Sequence, residues 1–275
     1  MTLRALSDTE RRDWIRLTMS ENVGPQTFRA LLRRYGTACD ALAAIPELSR
    51  KGGLKRTPRL YAQDAADRDL ASATAIGARF VGFSEPDYPE LLRQTDGAPP
   101  LLCVKGDVAL LNRSAVGIVG ARNASAAGRK FARQLAIDIG FMGHAIVSGL
   151  ARGIDTAAHE ASLDTGTIAV LAGGLDVFYP PENEGLQQAI GERGLLVTEM
   201  MPGTVPRAEH FPRRNRVISG LSRAVVIVEA AMRSGSLITA RYANEQGREV
   251  FAVPGSPLDP DRKSTRLNSS HVRLS

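Results

Sequence analysis

The residues of this chain best suited to chemistry are arginines, serines and glycines, gathered in short loops that each follow an apolar run. They are Gly120, Ala121 and Arg122, then Ser148, Gly149, Leu150, Ala151, Arg152 and Gly153, then Ala172, Gly173 and Gly174. Glu199 and Glu229 follow two further runs, and Glu229 leads to Ser234, Gly235 and Ser236. Glycine lets a backbone approach a ligand closely, and helix N-termini offer unpaired N–H groups to anions. Hydroxyls add donors, and guanidinium adds a planar fork that fits phosphate. Tight turns account for the glycines but leave the arginines unexplained. The chemistry these loops suit is the binding of a phosphate-bearing ligand.

A second concentration of charge lies in FPRRNRVISGLSRAVVIVEA, residues 211–230. Proline biases its predecessor away from helix, so Phe211-Pro212 ends an extended segment. RRNRVISGLS then reads as a short helix. Val217, Ile218 and Leu221 pack inward, and Arg213, Arg214 and Arg216 surround Asn215 near the N-terminal turn. Positive charge at that end opposes the helix dipole by roughly some tenths of a kcal/mol each, and a bound anion would reverse the sign. Two readings stay open. The cluster binds an anion, or it forms surface salt bridges, for which only Glu209 is close in sequence.

Several chemistries lack their residues. GIVGAR is not a G-x-G-x-x-G fingerprint, and no G-x-x-x-x-G-K-[ST] loop is present. Ser148-Gly149 lacks the G-x-S-x-G elbow of a hydrolase. Of the histidines, His144 precedes a strand and reads as structural. His159 follows Asp155 at i, i+4, which suits either a metal pair or a cap beside a structural histidine. Cys39 and Cys103 have no metal-ligand spacing and are too few for a disulfide framework. No catalytic group, metal or cofactor is expected.

The elements that must position the loops follow from periodicity. The first seventy or so residues are helical. Ser7 or Asp8 caps a helix through Met19, Gly24-Pro25 breaks the chain, Phe28, Leu31 and Leu32 start a new stripe, and Gly36 ends it. The Val23-Gly24-Pro25 turn is either a plain breaker or a hairpin whose N–H groups hold a phosphate. The basic stretch 49–59 is a solvated loop or a DNA contact. From Ala78 the period changes to short runs rich in Val and Ile, which read as strands buried on both faces. Helical patterns lie between most of them, such as Phe131, Leu135 and Ile139 at i, i+4, i+8. Strand, turn and helix in repetition predict an α/β fold, a doubly wound and mostly parallel sheet after a small all-α domain. In such a sheet ligands bind beyond the carboxyl ends of the strands, where the Gly, Ser and Arg loops fall.

Composition narrows the partners. Apolar residues make up 43% of the 275, too many for a disordered chain. The net charge is +6, but Arg262, Lys263, Arg266 and Arg273 stand in an acid-free end, and removing them leaves +2. Overall charge therefore does not argue for a nucleic-acid partner. The N-terminus has no secretory h-region, and no apolar run approaches the roughly 18 residues that span a bilayer, so the cytoplasm is expected and a membrane is not.

Five motifs occur in a fixed order: GIVGAR, SGLARGID, TIAVLAGGLDVFYPPEN, TEMMPGTVPRAEHFPRRNRVISGLS and VVIVEAAMRSGSLITARYANEQGREVFAVPG. Together they resemble the DNA-processing protein A (DprA/Smf) family over about residues 78–255. The helical start is similar to the sterile-alpha-motif-like domain that many members carry. The resemblance implies a Rossmann-like domain that binds single-stranded DNA without base preference, shields it and helps load RecA in natural transformation. It also implies a homodimer formed through that domain, and no catalysis. The implied DNA contacts are Gly120, Arg122, Ser148, Gly149, Gly173, Gly174, Arg213, Arg214, Asn215, Arg216, Ser234, Gly235, Ser236 and Thr239. Gly153 and Asp155 match the family's G-I-D signature and read as turn and cap. Phe178, Tyr179 and Phe211 are the aromatic residues near enough to stack on bases.

The expected domains are 1–72, small and helical (sterile-alpha-motif-like or helix-hairpin-helix-like), and 73–260, Rossmann-like. After FAVPGSPLDPD the sequence departs from the family: KSTRLNSSHVRLS stands where members have a Gly/Asn-rich turn and further helix, and the winged-helix domain that many members add is not expected. Residues 261–275 are expected to be a disordered, foreign tail. Two other readings are carried. One is a phosphoribohydrolase-like enzyme of the same fold type, with Glu245 as its acid, and the other is a nucleotide sensor.

Overall fold

In this computed structural model, residues 3–52, 56–230 and 234–253 are described. The tail expected at 261–275 and residues 53–55 of the basic loop lie outside them. Four helices come first. At α1 (Asp8–Met19) the Ser7 hydroxyl accepts from the Glu10 N–H while the Glu10 carboxylate accepts from the Ser7 N–H, a reciprocal cap. Pro25 opens α2 (Pro25–Tyr35), where its missing N–H costs nothing, and Gly36 ends it at φ +81°. α3 (Ala38–Lys51) and α4 (Gln63–Ala75) complete the unit.

The helical unit is fastened to the sheet. Trp14 and Phe28 meet the ring of Phe83, just after the first strand, at centroid distances of 5.1 and 6.2 Å. Arg11 donates to both oxygens of Glu85 at 2.7 and 2.9 Å. Burial pushes the Glu85 carboxyl upwards, but Arg11 and the N–H groups of Gly82 and Leu6 outweigh it and hold the carboxyl below its ordinary range.

The strands are β1 (Arg79–Gly82), β2 (Leu101–Gly106), β3 (Ala115–Gly120), β4 (Ala145–Ser148), β5 (Thr167–Val170), β6 (Leu195–Thr198), β7 (Ala224–Val228) and β8 (Glu249–Ala252). They form an eight-stranded sheet in the order β1-β2-β6-β5-β4-β3-β7-β8. From β6 to β8 every pairing is parallel, while β2 runs against β6 and β1. β4, β5 and β6 are buried at every position, as strands covered on both faces must be. Covering them are α6 (Ala126–Phe141) and α7 (Ile154–Ser162) among others, with α5 (Glu90–Arg93), α8 (Glu184–Arg193), α9 (His210–Leu221) and α10 (Gly235–Glu245). Val217, Ile218 and Leu221 of α9 are buried as expected.

α6 differs from its pattern. The apolar period identified the helix, but its packed face is Gly128, Ala132, Ala136 and Gly140, small residues that allow close approach. Phe131, Leu135 and Ile139 instead line an open apolar trough with Val226, Phe251 and Val253. Among the described residues no helix is long and apolar enough to cross a membrane.

Candidate functional site

β3 and β7 are neighbours, yet β3 leads through α6 to β4 on one side and β7 leads through α10 to β8 on the other. Such a switch point is where an open α/β sheet usually holds a nucleotide. Here the chain's own carboxylate fills it. Glu229, at the end of β7, accepts from the Ser125 N–H at 2.8 Å and from the Ser125 hydroxyl. Ser125 is the N-cap of α6, so the anion that this helix start attracts is already present. Glu229 holds a left-handed φ of +52° to reach it, and a side chain on Gly128 would strike its carboxylate.

The next turn, after β4, is also satisfied from within. Asp155 accepts from the N–H groups of Gly149 and Ala151 at 3.1 and 3.3 Å, so it caps the loop before α7. His159 is fully buried, and its Nε2 accepts from the Leu150 N–H. The proton therefore sits on Nδ1, which donates to the Thr167 hydroxyl at 2.7 Å. Burial, with the charge of Arg214, pulls the imidazole down to about 3, so it is neutral. This is a structural histidine, and among the described residues no group of three His, Cys, Asp or Glu is arranged for a metal.

Arg214 ties this turn to α9. Its guanidinium is buried and donates to the carbonyl oxygens of Gly149 and Val170, the second at 2.7 Å. Burial lowers it to about 10, with Asp155 opposing and Arg122 adding to the fall, so the charge persists at neutral pH. Burial pushes Asp155 upwards against the pull of Arg214 and of the loop N–H groups. Gly149 is glycine because a Cβ there would occupy the space of this guanidinium.

Above Arg214 opens a cleft of about 180 Å³, lined by Arg122, Arg152, Gly173, Tyr179 and Phe211 among others. Phe211 is its centre. The guanidinium carbons of Arg122 and Arg214 lie 5.4 and 5.9 Å from the ring centroid, and the Tyr179 ring lies 5.6 Å away. The N–H groups of Ala172 and Gly173 have no partner among the described residues. The cleft is smaller than the roughly 300–1,000 Å³ that encloses a small ligand. Its open cationic and aromatic rim fits a chain passing across it.

The structure distributes the sequence-predicted residues over several places. Arg122, Gly149, Gly173 and Arg214 share this cleft. Arg213 and Arg216 do not join them: both turn to the other side of α9 and meet Glu199, at 3.1 and 2.5 Å. The expected convergence of three arginines is thus corrected, because the acid is Glu199 from the end of β6 and not Glu209. Arg216 is further fixed by the Gly97 carbonyl. Ser148 is wholly buried and its hydroxyl donates to the Ile118 carbonyl at 2.6 Å, leaving nothing for a ligand. Gly120 and Gly174 are sites of close packing, against Val228 and Ile154 and against Asp176 and Gly203. Ser234 caps α10, Ser236 and Thr239 are buried behind it, and Asn215 donates to the Gly235 carbonyl, so none of the five lines the cleft.

Arg152, the second loop arginine of the sequence, joins this cleft although it is absent from the contacts that the family resemblance implies. It is exposed at the cleft, 3.7 Å from Glu182. Glu245, the acid of the enzyme reading, ends α10 half-exposed beside Arg241, 3.5 Å away. It is outside the cleft.

Known proteins agree with this architecture. The DNA processing protein DprA of Streptococcus pneumoniae is 44% identical over 230 residues, 82% of this chain and 80% of that one. A crystal structure of the pneumococcal protein superimposes with a TM-score of 0.80 at 33% identity, covering 96% of this chain and 92% of that one. A structure of DNA processing protein A from Helicobacter pylori, described for its single-stranded DNA binding mode, gives 0.63 at 29% identity over 69% of this chain and 86% of that one. Residues 8–72 match the DprA-like N-terminal HHH domain, and residues 79–270 match the family model of DNA recombination-mediator protein A. The chain belongs to the DNA recombination-mediator protein A family.

Proposed function

We propose that this chain is a non-catalytic single-stranded DNA-binding protein whose first contact is the cleft around Phe211. The strand's phosphates meet Arg122 and Arg152, Arg214 supplies charge from below, and bases stack on Phe211 and Tyr179. The Phe211 cluster, one ring touched by two guanidinium groups and a tyrosine, carries this reading. Stacking and phosphate contact are both tolerant of sequence. The glutamate plug at the β3–β7 switch point weighs against a mononucleotide enzyme or sensor, since the usual phosphate position is filled.

By family the strand is destined for recombination, so the reading extends to cytoplasmic action in natural transformation, protecting the strand and loading RecA on it. It extends also to a homodimer through the sheet domain. The exposed apolar trough of Phe131, Leu135, Ile139 and Phe251 gives a second copy a surface to cover.

Fluorescence anisotropy with labelled oligo-dT at several salt concentrations tests the central claim. Arg122→Ala and Arg152→Ala should each weaken binding and lower the salt slope by about one unit or less. Arg216→Ala should leave the slope unchanged, because Arg216 is engaged by Glu199 and Gly97. Unchanged slopes for both Arg122→Ala and Arg152→Ala would remove the strand from this cleft. Release of free base from AMP would instead establish an enzyme.

A further inference from the structure

α6 begins three residues after Arg122 and is charged against its own dipole. Its first half carries Arg129, Lys130 and Arg133, while the one acid of the helix, Asp138, comes later. Cations near a helix N-terminus oppose the macrodipole. They also oppose one another: Arg133 stands at i+4 from Arg129 and at i+3 from Lys130, spacings at which like charges destabilise a helix. All three are exposed, and with Ala126 they form one stripe at i, i+3, i+4 and i+7. The buried face of α6 is Gly128, Ala132, Ala136 and Gly140 and includes none of them. The apolar trough of Phe131 and Leu135 occupies the opposite side of the helix.

Few counter-charges answer this stripe. Among the described residues Lys130 has no ion-pair partner, and Arg129 donates to the Ala124 carbonyl, which does not neutralise it. Arg133 meets Glu160 of α7 at 2.6 Å, with both side chains about half exposed. A surface pair of that kind is worth little and gives way to a phosphate. Glu229 lies on the other side of the helix start, against Gly128.

The stripe also continues the cationic rim of the Phe211 cleft. The Ile154 N–H donates to the Ala121 carbonyl at 3.2 Å, and a side chain on Gly153 would strike the carbonyls of Ala121 and Arg122. The turns that carry Arg122 and Arg152 are therefore in direct contact. From Arg122 the chain enters α6 at Ser125, and the Arg129 guanidinium folds back onto Ala124 between them. The contact of Arg133 with Glu160 places the stripe on the α7 side of α6, the side on which Arg152 lies.

We propose that the exposed stripe of Arg129, Lys130 and Arg133 is a phosphate track, along which the strand runs once it has left the Phe211 cleft past Arg122. The inference rests on the single-strand reading above and extends its site. From Ser125 to Arg133 the helix rises about 12 Å, so the track lengthens the bound segment by more than one nucleotide. Its contacts are to phosphates, so it adds affinity without reading bases. The bound polyanion supplies the negative charge that the first half of α6 lacks.

Anisotropy with oligo-dT strands of increasing length, from about four to about sixteen nucleotides, tests this. Lys130→Glu is the variant. Lys130 is exposed, and a carboxylate in the first half of α6 agrees with the dipole, so the change does not threaten folding. Arg223→Glu is the control, since Arg223 is exposed just before β7, at the opposite rim of the sheet, and the net charge changes equally. On the longest strand Lys130→Glu should weaken binding roughly three- to tenfold and lower the salt slope by about one unit or less. On the shortest strand that wild type binds, it should stay within about twofold of wild type, because the cleft alone holds that strand. Arg223→Glu should stay within about twofold at every length. A Lys130→Glu loss that is absent on the longest strand, equal at every length or matched by Arg223→Glu would overturn the track and leave the Phe211 cleft standing. A wild-type chain that binds no strand would overturn both.

Discussion

Two neighbouring turns, β3 to α6 and β4 to α7, start from similar sequences and solve the same problem in different ways. Each follows a buried parallel strand, opens a helix and carries one outward arginine, Arg122 or Arg152. In the first, the helix start is satisfied from outside the turn by the Glu229 carboxylate at the surface. In the second, the satisfying groups are Asp155 and His159 of α7 itself, locked beneath by the buried Arg214. The common result is that each turn already has a carboxylate of the chain on its N–H groups, Glu229 on Ser125 and Asp155 on Gly149 and Ala151. What remains outward is guanidinium and aromatic ring, chemistry that suits a polymer lying across the rim better than a phosphate seated in a turn. The difference is depth. One turn is held by an exposed carboxylate and the other by a buried ionic network, so their responses to substitution should differ in size and in pH dependence.

The largest effect is expected at the buried network. Arg214→Met removes the counter-charge of Asp155 and leaves the Gly149 and Val170 carbonyls without their donor. Leaving buried acceptors without their donor costs about 1–3 kcal/mol, and the loss of a nearby counter-charge adds to it. Urea unfolding should show that loss, and adding Asp155→Asn should recover part of it, because the stranded charge is then gone. A cost below about 1 kcal/mol would mean that Arg214 is not the tie between α9 and this turn.

How far the sequence reveals all this depends on what each residue signals. The strands were legible because buried parallel strands are continuous Val and Ile runs, as in AVVIV of β7. The α2 boundaries were legible from Gly24-Pro25 and Gly36. The direction of β2 was not, since an apolar run looks alike in either orientation. The packed face of α6 was hidden for a related reason: Gly128, Ala132, Ala136 and Gly140 carry little hydrophobic signal, while Phe131, Leu135 and Ile139 carry much and lie along the open trough beside it. At the site, Arg122 and Phe211 were readable from their loops. The divergence of Arg213, Arg214 and Arg216 was not. It depends on Glu199, fourteen residues before Arg213 and on a different element. Glycine was the most ambiguous letter, because Gly120, Gly149 and Gly174 are required by packing against neighbours that no local pattern names.

A smaller effect separates the turns by pH. His159 is held at about 3, whereas an unfolded histidine titrates near 6.5. Between those values the unfolded chain binds the extra proton, so acid favours unfolding. The contribution is fully present above about pH 6.5 and is lost by up to about 1.4 kcal/mol per pH unit as pH falls towards 3. Asp155, raised by burial, acts in the opposite sense, but it is common to wild type and His159→Gln. The difference between their urea-unfolding curves should therefore narrow as pH drops from 7 to 5. A constant difference would mean that the imidazole is not buried neutral.

The smallest effect is expected at the exposed plug. Glu229→Ala deprives Ser125 of its acceptor and the α6 start of its anion, at a cost of about 1 kcal/mol. The residue still holds the left-handed φ of +52°, which alanine tolerates poorly. The sharper readout is therefore a ligand. With the carboxylate gone, inorganic phosphate should raise the melting temperature of the variant, because the freed donors at Ser125 and the helix dipole regain an anion. It should leave wild type unmoved at the same concentration. Equal responses would mean that Glu229 does not fill the anion position, and the contrast between a surface plug and a buried lock would dissolve.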